Sequence, residues 1–368
     1  MDIKHPKTIK EAAEIFKKAS AARIPVIPAG AMTRLRVDFP ALTSQEVLLV
    51  STRDLKKISR LEPNNLLAIA EAGVTPDELN EALKPTGLYW PITGLGSRTL
   101  GAIMAEGALG LESMAKGSMV DWILGSTFIA PDGRVVSSGG RTLKNVCGYD
   151  FTRLAWRSRG RLGLCASFIL KLLPLPISAP VIEIKMKGPA QAAELASRII
   201  RQRLWPEGLR IVCQYESVSL LVWLAGFQQV TEEKCRRLTE LSGRNKMIIH
   251  QDGWAYWQDH GRRWSADDPC LTTVLGSRQT ILSLARTIDE GVGGGIQRAD
   301  LDVGGGRATL SLAHGLSADE VVAWVPGLLP DRFASSGAVY ETVKQGLDPQ
   351  QIVFPDSLLE GYVPGPVC

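Results

Sequence analysis

Three short segments rich in glycine and small residues could do chemistry with a phosphorylated ligand. They are residues 28–34 (PAGAMTR), 94–102 (GLGSRTLGA) and 158–163 (SRGRLG). Glycine lets the backbone approach a ligand closely, and backbone N–H groups bind the negative charges of a pyrophosphate. No Rossmann G-x-G-x-x-G follows the first strand and no P-loop lysine pattern occurs, so each segment taken alone is more typical of a surface turn.

Histidine and cysteine offer little further chemistry. The four histidines have no spacing that would let two of them share a metal ion on a helix face. The six cysteines form no C-x-x-C pair, which favours reduced thiols and argues against an iron–sulfur cluster held by this chain alone. His250, His260 and His314 have no carboxylate nearby in the sequence, so we interpret them as surface or packing residues. We therefore assign no catalytic residue and no metal site.

Charge and hydropathy exclude several classes of function. The net charge is +4, from 42 basic and 38 acidic residues, and no basic run suggests a nucleic-acid or anionic-membrane partner. We expect no secretory signal at the polar N-terminus, and no apolar window is long enough to span a membrane. We expect a cytoplasmic protein that reaches the inner face of the membrane, if at all, through partners.

The elements that would position these segments can be read from capping and periodicity. Capping boxes predict three helix starts, at Thr8 with Glu11, Thr75 with Glu78 and Ser317 with Glu320. Apolar runs predict strands at 46–51, 66–71, 122–130 and 162–173. Prolines at 174, 176 and 180 mark a domain boundary, and residues 181–330 follow a β-α-β-β-α rhythm typical of a small antiparallel sheet with helices. A last helix is expected at 338–345.

The order of the segments resembles one family. Residues 144–154 (KNVCGYDFTRL) are similar to the K-N-V-x-G-Y-D-L-x-R-L signature of glycolate oxidase FAD-binding subunits. In that family the signature is followed by a G-S-x-G-x-L-G segment and then by a strand that ends in K-x-L-P. Here residues 157–163 resemble the first of these and residues 170–174 resemble the second. Residues 99–102 (TLGA), 117–121 (GSMVD) and 347–352 (LDPQQI) resemble the family's T-L-G-G, G-S-x-x-D and D-P-x-x-I segments. The likeness is close over residues 1–175 and moderate in the tail.

The resemblance implies an α+β fold of the vanillyl-alcohol-oxidase (PCMH) type that binds FAD. It implies an FAD domain over 1–178 (subdomains of about 1–55 and 56–178), an α+β cap over 179–330 and a C-terminal return over 331–368. Two groups would cradle the pyrophosphate: Gly30, Ala31, Met32, Thr33 and Arg34, and Thr99, Leu100, Gly101 and Ala102. Ser118 and Asp121 would shape the wall beside it, and Pro91, Gly96 and Gly117 would also bind the cofactor. Ser158, Gly160, Arg161, Gly163 and Leu164 would follow the adenosine and ribityl portion, with Tyr149 and Asp150 setting the turn before them.

Departures from the family pattern leave two interpretations open. Ala31, Met32 and Arg157 replace family glycines, Arg161 replaces a small residue, and Phe354 begins FPD where N-P-G is usual. Either arginines pair with the pyrophosphate and offset the lost glycines, or the site has decayed and the chain is a non-catalytic scaffold. Arg307, on an expected cap strand, could face the flavin.

The resemblance also implies a function and partners. The chain would be the FAD-binding subunit of a 2-hydroxyacid (glycolate or D-lactate) dehydrogenase, passing electrons through flavin to an iron–sulfur subunit. It would work beside a larger FAD-binding catalytic subunit and would not be active alone. The tryptophans of the cap are either core residues or a partner interface.

Overall fold

A small parallel sheet begins the fold. The computed structural model describes residues 2–32, 47–140, 150–214, 217–263, 271–290, 295–313, 316–330 and 338–353. Strands β1 (Asp2–Lys4), β2 (Val26–Ala29) and β3 (Leu48–Ser51) pair in the order β1-β3-β2. Helix α1 (Ile9–Ala22) covers them because Ala12, Phe16 and Ala19 recur at helical spacing and are buried.

A five-stranded antiparallel sheet forms the second unit, in the order β4-β5-β9-β7-β8. Its strands are β4 (Ile58–Glu62), β5 (Leu67–Glu71), β7 (Ile123–Ile129), β8 (Val135–Gly139) and β9 (Leu164–Lys171). A short pair, β6 (Leu88–Tyr89) and β10 (Leu173–Pro174), lies beside it. The helices are α2 (Pro76–Leu83), α3 (Leu100–Glu106), α4 (Ser113–Lys116) and α5 (Phe151–Ala155).

An eight-stranded antiparallel sheet forms the third unit, the cap, in the order β14-β11-β13-β12-β16-β17-β15-β18. Its strands are β11 (Val181–Met186), β12 (Gly208–Gln214), β13 (Ser217–Trp223), β14 (Met247–His250), β15 (Leu271–Leu275), β16 (Ile296–Asp302), β17 (Arg307–Leu312) and β18 (Leu329–Pro330). Helices α6 (Pro189–Arg201), α7 (Gln228–Ser242), α8 (Gly253–Arg263), α9 (Arg278–Asp289) and α10 (Ala318–Trp324) accompany it. The largest apolar core of the chain lies between this sheet and its helices.

The chain then returns to the N-terminal units. Helix α11 (Ala338–Leu347) packs Val343 and Leu347 on the core of the five-stranded sheet. Val353 pairs in parallel with Val26 of β2, so the segment joins both N-terminal sheets. Lys344 is fully buried and donates to Oδ2 of Asp348 at 2.8 Å, while Asp348 accepts from the amides of Ile352 and Val353. This buried pair fixes the returning strand.

The α+β fold class is confirmed, whereas the domain boundaries near 55, 178 and 330 stay predictions. The expected strands and helices lie within a few residues of their observed bounds, and β11 (Val181–Met186) matches its prediction at both ends. The glycine-rich stretch 91–117 contains α3 and α4. Short helices bounded by glycine carry too little periodicity to be seen in a sequence.

Candidate cofactor and substrate site

The three glycine-containing segments meet at the end of β2. Gly30 follows this strand, and a Cβ atom there would lie 2.6 Å from Oγ1 of Thr99 and 2.9 Å from Cβ of Ala102. At Gly160, a Cβ atom would lie 3.4 Å from Cβ of Pro28, also in β2. The fold therefore brings together the segments that the sequence singled out, and Gly30 is required by the close approach of α3.

The amides of the Thr99 segment are already used within the protein. The N–H of Leu100 donates to the carbonyl of Val74 and that of Gly101 to Ala72, each at 2.8 Å. The N–H of Ala102 donates to Oγ1 of Thr99 at 3.3 Å. These amides therefore do not form the bare cradle that we expected. They begin α3, and the Thr99 hydroxyl keeps a hydrogen that it can donate.

The backbone amides of Ala31 and Met32 follow Gly30 directly. Within the described ranges, no hydrogen bond from either backbone N–H is found. Met32 has a φ of 59°, the left-handed conformation for which glycine is best suited. Successive backbone N–H groups in a turn with a left-handed residue can form an anion-binding concavity. Thr33 and Arg34 lie outside the described residues.

Arg157 shows the same substitution for glycine. It has a φ of 62° at the position where the resembling family carries the first glycine of G-S-x-G. Its side chain lies against Gly107, and its N–H donates to the carbonyl of Met104 at 3.1 Å. A non-glycine residue in this conformation costs about 1–3 kcal/mol unless its surroundings hold it. The loop therefore holds a left-handed residue without the conformational freedom of glycine.

The remaining residues of the third segment are held by packing. Ser158 and Arg161 are buried, and Oγ of Ser158 accepts from the N–H of Gly160 at 3.3 Å. A Cβ atom at Gly163 would lie 2.4 Å from the carbonyl oxygen of Ile129, so glycine is needed for β9 to leave this loop. Leu164 begins β9 and belongs to the core of the first unit.

The residues expected in the wall have local partners. Ser118 donates to Oδ2 of Asp121 through its N–H at 3.0 Å and its hydroxyl at 2.8 Å, which closes the turn at Gly117. Pro91 is buried, and Gly96 has a φ of 62°. Asp150 caps α5 by accepting from the N–H of Arg153 at 3.0 Å. Tyr149 lies outside the described residues, as do Phe354 and His314, so their expected roles stay predictions.

A cavity lies between the Gly94 segment and the cap. Its volume is about 40 Å³, space for a few water molecules, so only a small ligand fits without movement. Its walls combine three arginines with one carboxylate and small residues. They are Gly94, Leu95, Arg98, Leu109, Leu111, Arg210, Gly261, Thr273, Asp300, Arg307 and Thr309.

Two of these charges belong to a buried ionic cluster on the cap sheet. Arg210 donates to Oδ2 of Asp300 at 2.7 Å and to Oδ2 of Asp302 at 3.0 Å. Nε2 of His260 lies 3.1 Å from the same Oδ2 of Asp300. Burial alone would raise the pKa of Asp300, but the charges of Arg210 and His260 outweigh it and hold the pKa below its usual value. Ser113 of α4 donates to Asp302 at 3.2 Å and ties the cluster to the FAD side.

This cluster corrects our interpretation of two histidines. Both have carboxylate partners that are distant in sequence: His260 has Asp300, and His250 lies 3.2 Å from Oε2 of Glu183. Sequence reasoning missed them because Asp300 and Glu183 lie on cap strands that are distant in sequence from His260 and His250. Among described residues, no group of three or more His, Cys, Asp or Glu could hold a metal ion.

Tryptophans line the contact between the cap and the second unit. Trp223 and Trp257 are buried with Leu111, and Trp254 packs edge-on against Tyr89 at 5.0 Å between ring centroids. The core interpretation therefore holds for this group. Trp205 differs, since it is 71% exposed.

Glu112 is a buried acid at the same contact. It accepts from the N–H of Thr93 at 3.1 Å and from its hydroxyl at 2.5 Å. Burial raises the pKa of this carboxyl to about 7, against the effect of those hydrogen bonds. The side chain thus changes charge near neutral pH, one residue from the cavity-lining Leu111.

Comparison with known proteins connects this site to flavin chemistry. Residues 3–139 match the family described as FAD binding domain. Glycolate oxidase subunit GlcD of Bacillus subtilis is 27% identical over 67% of this chain and 50% of its own length. D-lactate dehydrogenase of Archaeoglobus fulgidus is 28% identical over 54% of this chain and 44% of its own. The matches thus span half or less of these curated relatives.

Solved structures show the same fold. A structure of alkyldihydroxyacetonephosphate synthase has a TM-score of 0.73 over 95% of this chain and 75% of its own, at 15% identity. Xylooligosaccharide oxidase from Myceliophthora thermophila has a TM-score of 0.71 over 96% of this chain and 90% of its own, also at 15% identity. The chain contains an FAD-binding domain of the PCMH type and is similar to glycolate oxidase and D-lactate dehydrogenase chains, so FAD is its cofactor.

The residues present fit that cofactor. The backbone amides of Ala31 and Met32 and the hydroxyl of Thr99 are donors suited to a pyrophosphate. Gly30 and Gly160 keep side chains out of the junction where the loops meet. Which of these groups contact FAD stays a prediction.

Proposed function

From this PCMH-type FAD-binding domain and its likeness to glycolate oxidase and D-lactate dehydrogenase chains, we propose that the protein is the FAD-binding subunit of a 2-hydroxyacid dehydrogenase. Its substrate is a small 2-hydroxy acid such as glycolate or D-lactate. Electrons leave through an iron–sulfur subunit, and a larger FAD-binding catalytic subunit completes the complex. Bound FAD supplies the acceptor for a hydride from the substrate.

The observation that carries the proposal is the arginine-lined cavity between the FAD domain and the cap. Arg98 comes from the segment that leads into α3, and Arg307 from the first position of β17. Guanidinium groups bind carboxylates through paired, charge-assisted hydrogen bonds. The small volume favours an acid of a few heavy atoms over a sugar or a lipid chain.

Arg98 and Arg307 lie on opposite sides of the cavity, Arg98 on the FAD domain and Arg307 on the cap. Arg98 is buried and lies 3.5 Å from Glu106 of α3, so its charge is partly balanced within the FAD domain. Arg307 sits on the cap beside Asp302, its partner in the strand register. A carboxylate between them would join the cap to the FAD domain, and the closed contact would keep water from the reacting carbon.

Two separate observations support assembly of this chain with partner subunits. The relative from Bacillus subtilis is named as a subunit, and the alignment covers half of its length. Trp205 and Phe227 are each at least 70% exposed on the cap. No described helix is long and apolar enough to cross a membrane. We place the complex in the cytoplasm, with any membrane contact made through its partners.

Anaerobic flavin reduction tests the proposal. The chain saturated with FAD should lose its oxidised-flavin absorbance when glycolate or D-lactate is added, in a single turnover. Arg307→Met should raise the concentration of hydroxy acid needed for half-maximal flavin reduction by about tenfold or more. This is the usual result of removing one partner of a charge-assisted hydrogen bond. The matched control Arg278→Met, on an exposed residue of the cap, should behave as wild type.

Two results would contradict the proposal in different ways. If no 2-hydroxy acid reduces the bound flavin, the substrate assignment is wrong. If the isolated monomer or homodimer turns over rapidly with an artificial dye, the requirement for partners is wrong.

A second candidate is a non-catalytic scaffold of the same kind of complex. Met32 and Arg157 favour it, since both hold left-handed conformations where the family carries glycine. On this alternative, Ala31→Gly combined with Met32→Gly creates or sharply strengthens FAD binding. If wild type already binds FAD at full stoichiometry, the scaffold candidate is eliminated.

A further inference from the structure

Asp300 of β16 lines the cavity, and the described residues use only one of its two carboxylate oxygens. The side chain is 1% exposed, and its Oδ2 accepts from Arg210 at 2.7 Å and lies 3.1 Å from Nε2 of His260. In the part of the chain that the structure describes, Oδ1 has no hydrogen-bond partner. A buried carboxylate oxygen normally accepts at least one hydrogen bond, so Oδ1 is suited to a donor carried by a ligand.

The register of the cap sheet places Asp300 in a polar row on the cavity wall. Asp300 lies opposite Thr309 of β17, which in turn lies opposite Thr273 of β15. Directly opposite residues share one face of a sheet, and all three line the cavity. Gly94 and Leu95 form the facing wall on the FAD domain. Among the described residues that line the cavity, Asp300 is the only carboxylate, so it is the acidic group that a ligand meets there.

The carboxyl of Asp300 is ionised at neutral pH. Burial alone would raise its pKa, but the neighbouring Arg210 and His260 outweigh this effect and lower the pKa. An ionised carboxylate accepts hydrogen bonds and has no hydrogen to donate. Oδ1 therefore stabilises a ligand group with an O–H or N–H bond and does not stabilise a methyl group.

Arg210 adds a donor to this acceptor. Its terminal nitrogens donate to Asp300 and Asp302, whereas its buried Nε has no hydrogen-bond partner within the described ranges. Arg210 and Asp300 both line the cavity, and together they offer one donor and one acceptor. A hydroxyl group can both donate and accept, whereas an ammonium group can only donate. Of these two ligand groups, the hydroxyl matches the pair better.

We infer that Oδ1 of Asp300 accepts a hydrogen bond from the C2 hydroxyl of the substrate, a role that rests on the function proposed above. Asp300 is thus a specificity-determining residue, which selects 2-hydroxy acids over acids that lack this hydroxyl. An acid with a methyl group in the same place fills the same space but leaves a buried oxygen without its hydrogen bond. Sites that bind a hydroxyl in this way discriminate strongly against such analogues.

Binding of two isosteric acids tests the inference without turnover. Propionate has a methyl group where glycolate has its hydroxyl, and the two acids otherwise have the same shape. Each is titrated calorimetrically, in the absence of oxygen, into the chain whose FAD has been reduced with dithionite, so that glycolate cannot be oxidised. Wild type should bind glycolate about tenfold to hundredfold more tightly than propionate, the range for a hydrogen bond to a charged group.

Asp300→Asn removes the acceptor and nearly preserves the shape of the side chain. The guanidinium of Arg210 only donates, so the amide oxygen of the variant should occupy the Oδ2 position. Its NH₂ group then takes the place of Oδ1 and is a neutral donor. The preference for glycolate over propionate should fall to about fivefold or less, the range for a neutral hydrogen bond.

The matched control is Asp302→Asn. Asp302 is also buried and accepts from Arg210 at 3.0 Å, but it accepts from Ser113 and from the N–H of Gly305 as well. It lies outside the described lining of the cavity. This variant removes the same charge from the same cluster, and it should keep the wild-type preference for glycolate. Thermal unfolding of both variants is measured first, because each alters a buried ion pair.

Fluoroacetate gives a measurement that needs no variant. Its fluorine stands where glycolate has its hydroxyl and cannot donate a hydrogen bond. Because ionised Asp300 requires a donor, wild type should bind fluoroacetate as weakly as propionate. The comparison therefore decides between donor and acceptor recognition of the hydroxyl even if Asp300→Asn does not fold.

The outcomes separate this inference from the proposed function. If none of these acids binds and no 2-hydroxy acid reduces the flavin of wild type, the proposed function fails and the inference fails with it. If glycolate reduces the flavin but binds no more tightly than propionate or fluoroacetate, the inference is overturned and the proposed function stands. An undiminished preference for glycolate in Asp300→Asn, or an equal loss of preference in Asp302→Asn, would overturn the inference as well.

Discussion

Glu112 shows at the scale of one residue how burial changes a common side chain. Nothing near it in sequence distinguishes it from the other carboxylates. In the structure it is 1% exposed, held by Thr93 and placed between the FAD domain and the cap. Its pKa is raised to about 7, first by desolvation, so it is a proton-binding group in the folded protein. Its effect on stability follows directly.

Glu112→Gln should make the free energy of unfolding less dependent on pH. The folded pKa of about 7 lies above the unfolded value of 4.5, so the folded protein holds a proton that the unfolded chain releases. Stability is therefore lost as pH rises from about 4.5 to about 7, by roughly 3 kcal/mol at 1.36 kcal/mol per unit. Denaturant unfolding at pH 8 should find the variant more stable than wild type by up to about that amount.

The contribution of a control carboxylate, Glu78, to stability should depend on pH in the opposite direction. The pKa of Glu78 is lowered, because its hydrogen bonds to Lys56 and Thr75 outweigh desolvation. The stability that ionised Glu78 contributes is present above its unfolded pKa and is lost as the pH falls. Glu78→Gln should therefore lose stability at neutral pH. If Glu112→Gln gives the same pH dependence as wild type, its carboxyl is not protonated in the folded state.

At the scale of elements, the site depends on how closely the end of β2 meets α3. Local signals predicted much of this region: Thr75 and Glu78 cap α2 as expected, and the hairpin of β7 and β8 follows its turn sequence. The beginning of α3 could not be predicted, because its first amides donate to Val74 and Ala72 from a distant part of the chain. A sequence shows which segments are glycine-rich, but not which of their amides remain unbonded.

Gly30→Ala tests this close contact. Its Cβ would lie 2.6 Å from Oγ1 of Thr99, nearer than real contacts allow, so the loop must move away from α3. We expect FAD affinity to fall by about tenfold or more, a loss of at least about 1.4 kcal/mol, measured by fluorescence titration. Gly346→Ala, where an added Cβ has open space, should bind FAD as wild type does. Equal affinity in both variants would place the pyrophosphate elsewhere.

At the scale of the whole molecule, the cap and the FAD domain meet backbone to backbone. A Cβ atom added at Gly261 would lie 2.7 Å from Cα of Gly94, and one added at Gly304 would lie 2.2 Å from Cβ of Met114. The α+β class and the FAD domain could be predicted, since they follow from local patterns and from the order of short motifs. The pairs Arg210–Asp300 and His260–Asp300 could not, because they join strands and helices far apart in sequence.

Gly261→Ala should separate the cap from the FAD domain. A methyl group at this position has no room beside Gly94, so α8 must shift and carry Trp257 and His260 with it. We expect faster limited proteolysis, a change in tryptophan fluorescence and slower flavin reduction, with FAD affinity changed far less than by Gly30→Ala. Gly346→Ala is again the control. Wild-type behaviour in all three assays would show that this contact does not position the cap.

The central claim is that this chain binds FAD although Met32 and Arg157 stand at family glycine positions. The most direct measurement is the number of FAD molecules bound per chain, from the flavin absorbance of protein saturated with FAD and freed of excess cofactor. We predict one FAD per chain, with an affinity that is lowered by Gly30→Ala and unchanged by Gly346→Ala. A folded wild-type chain that binds no FAD at saturating concentration would contradict it.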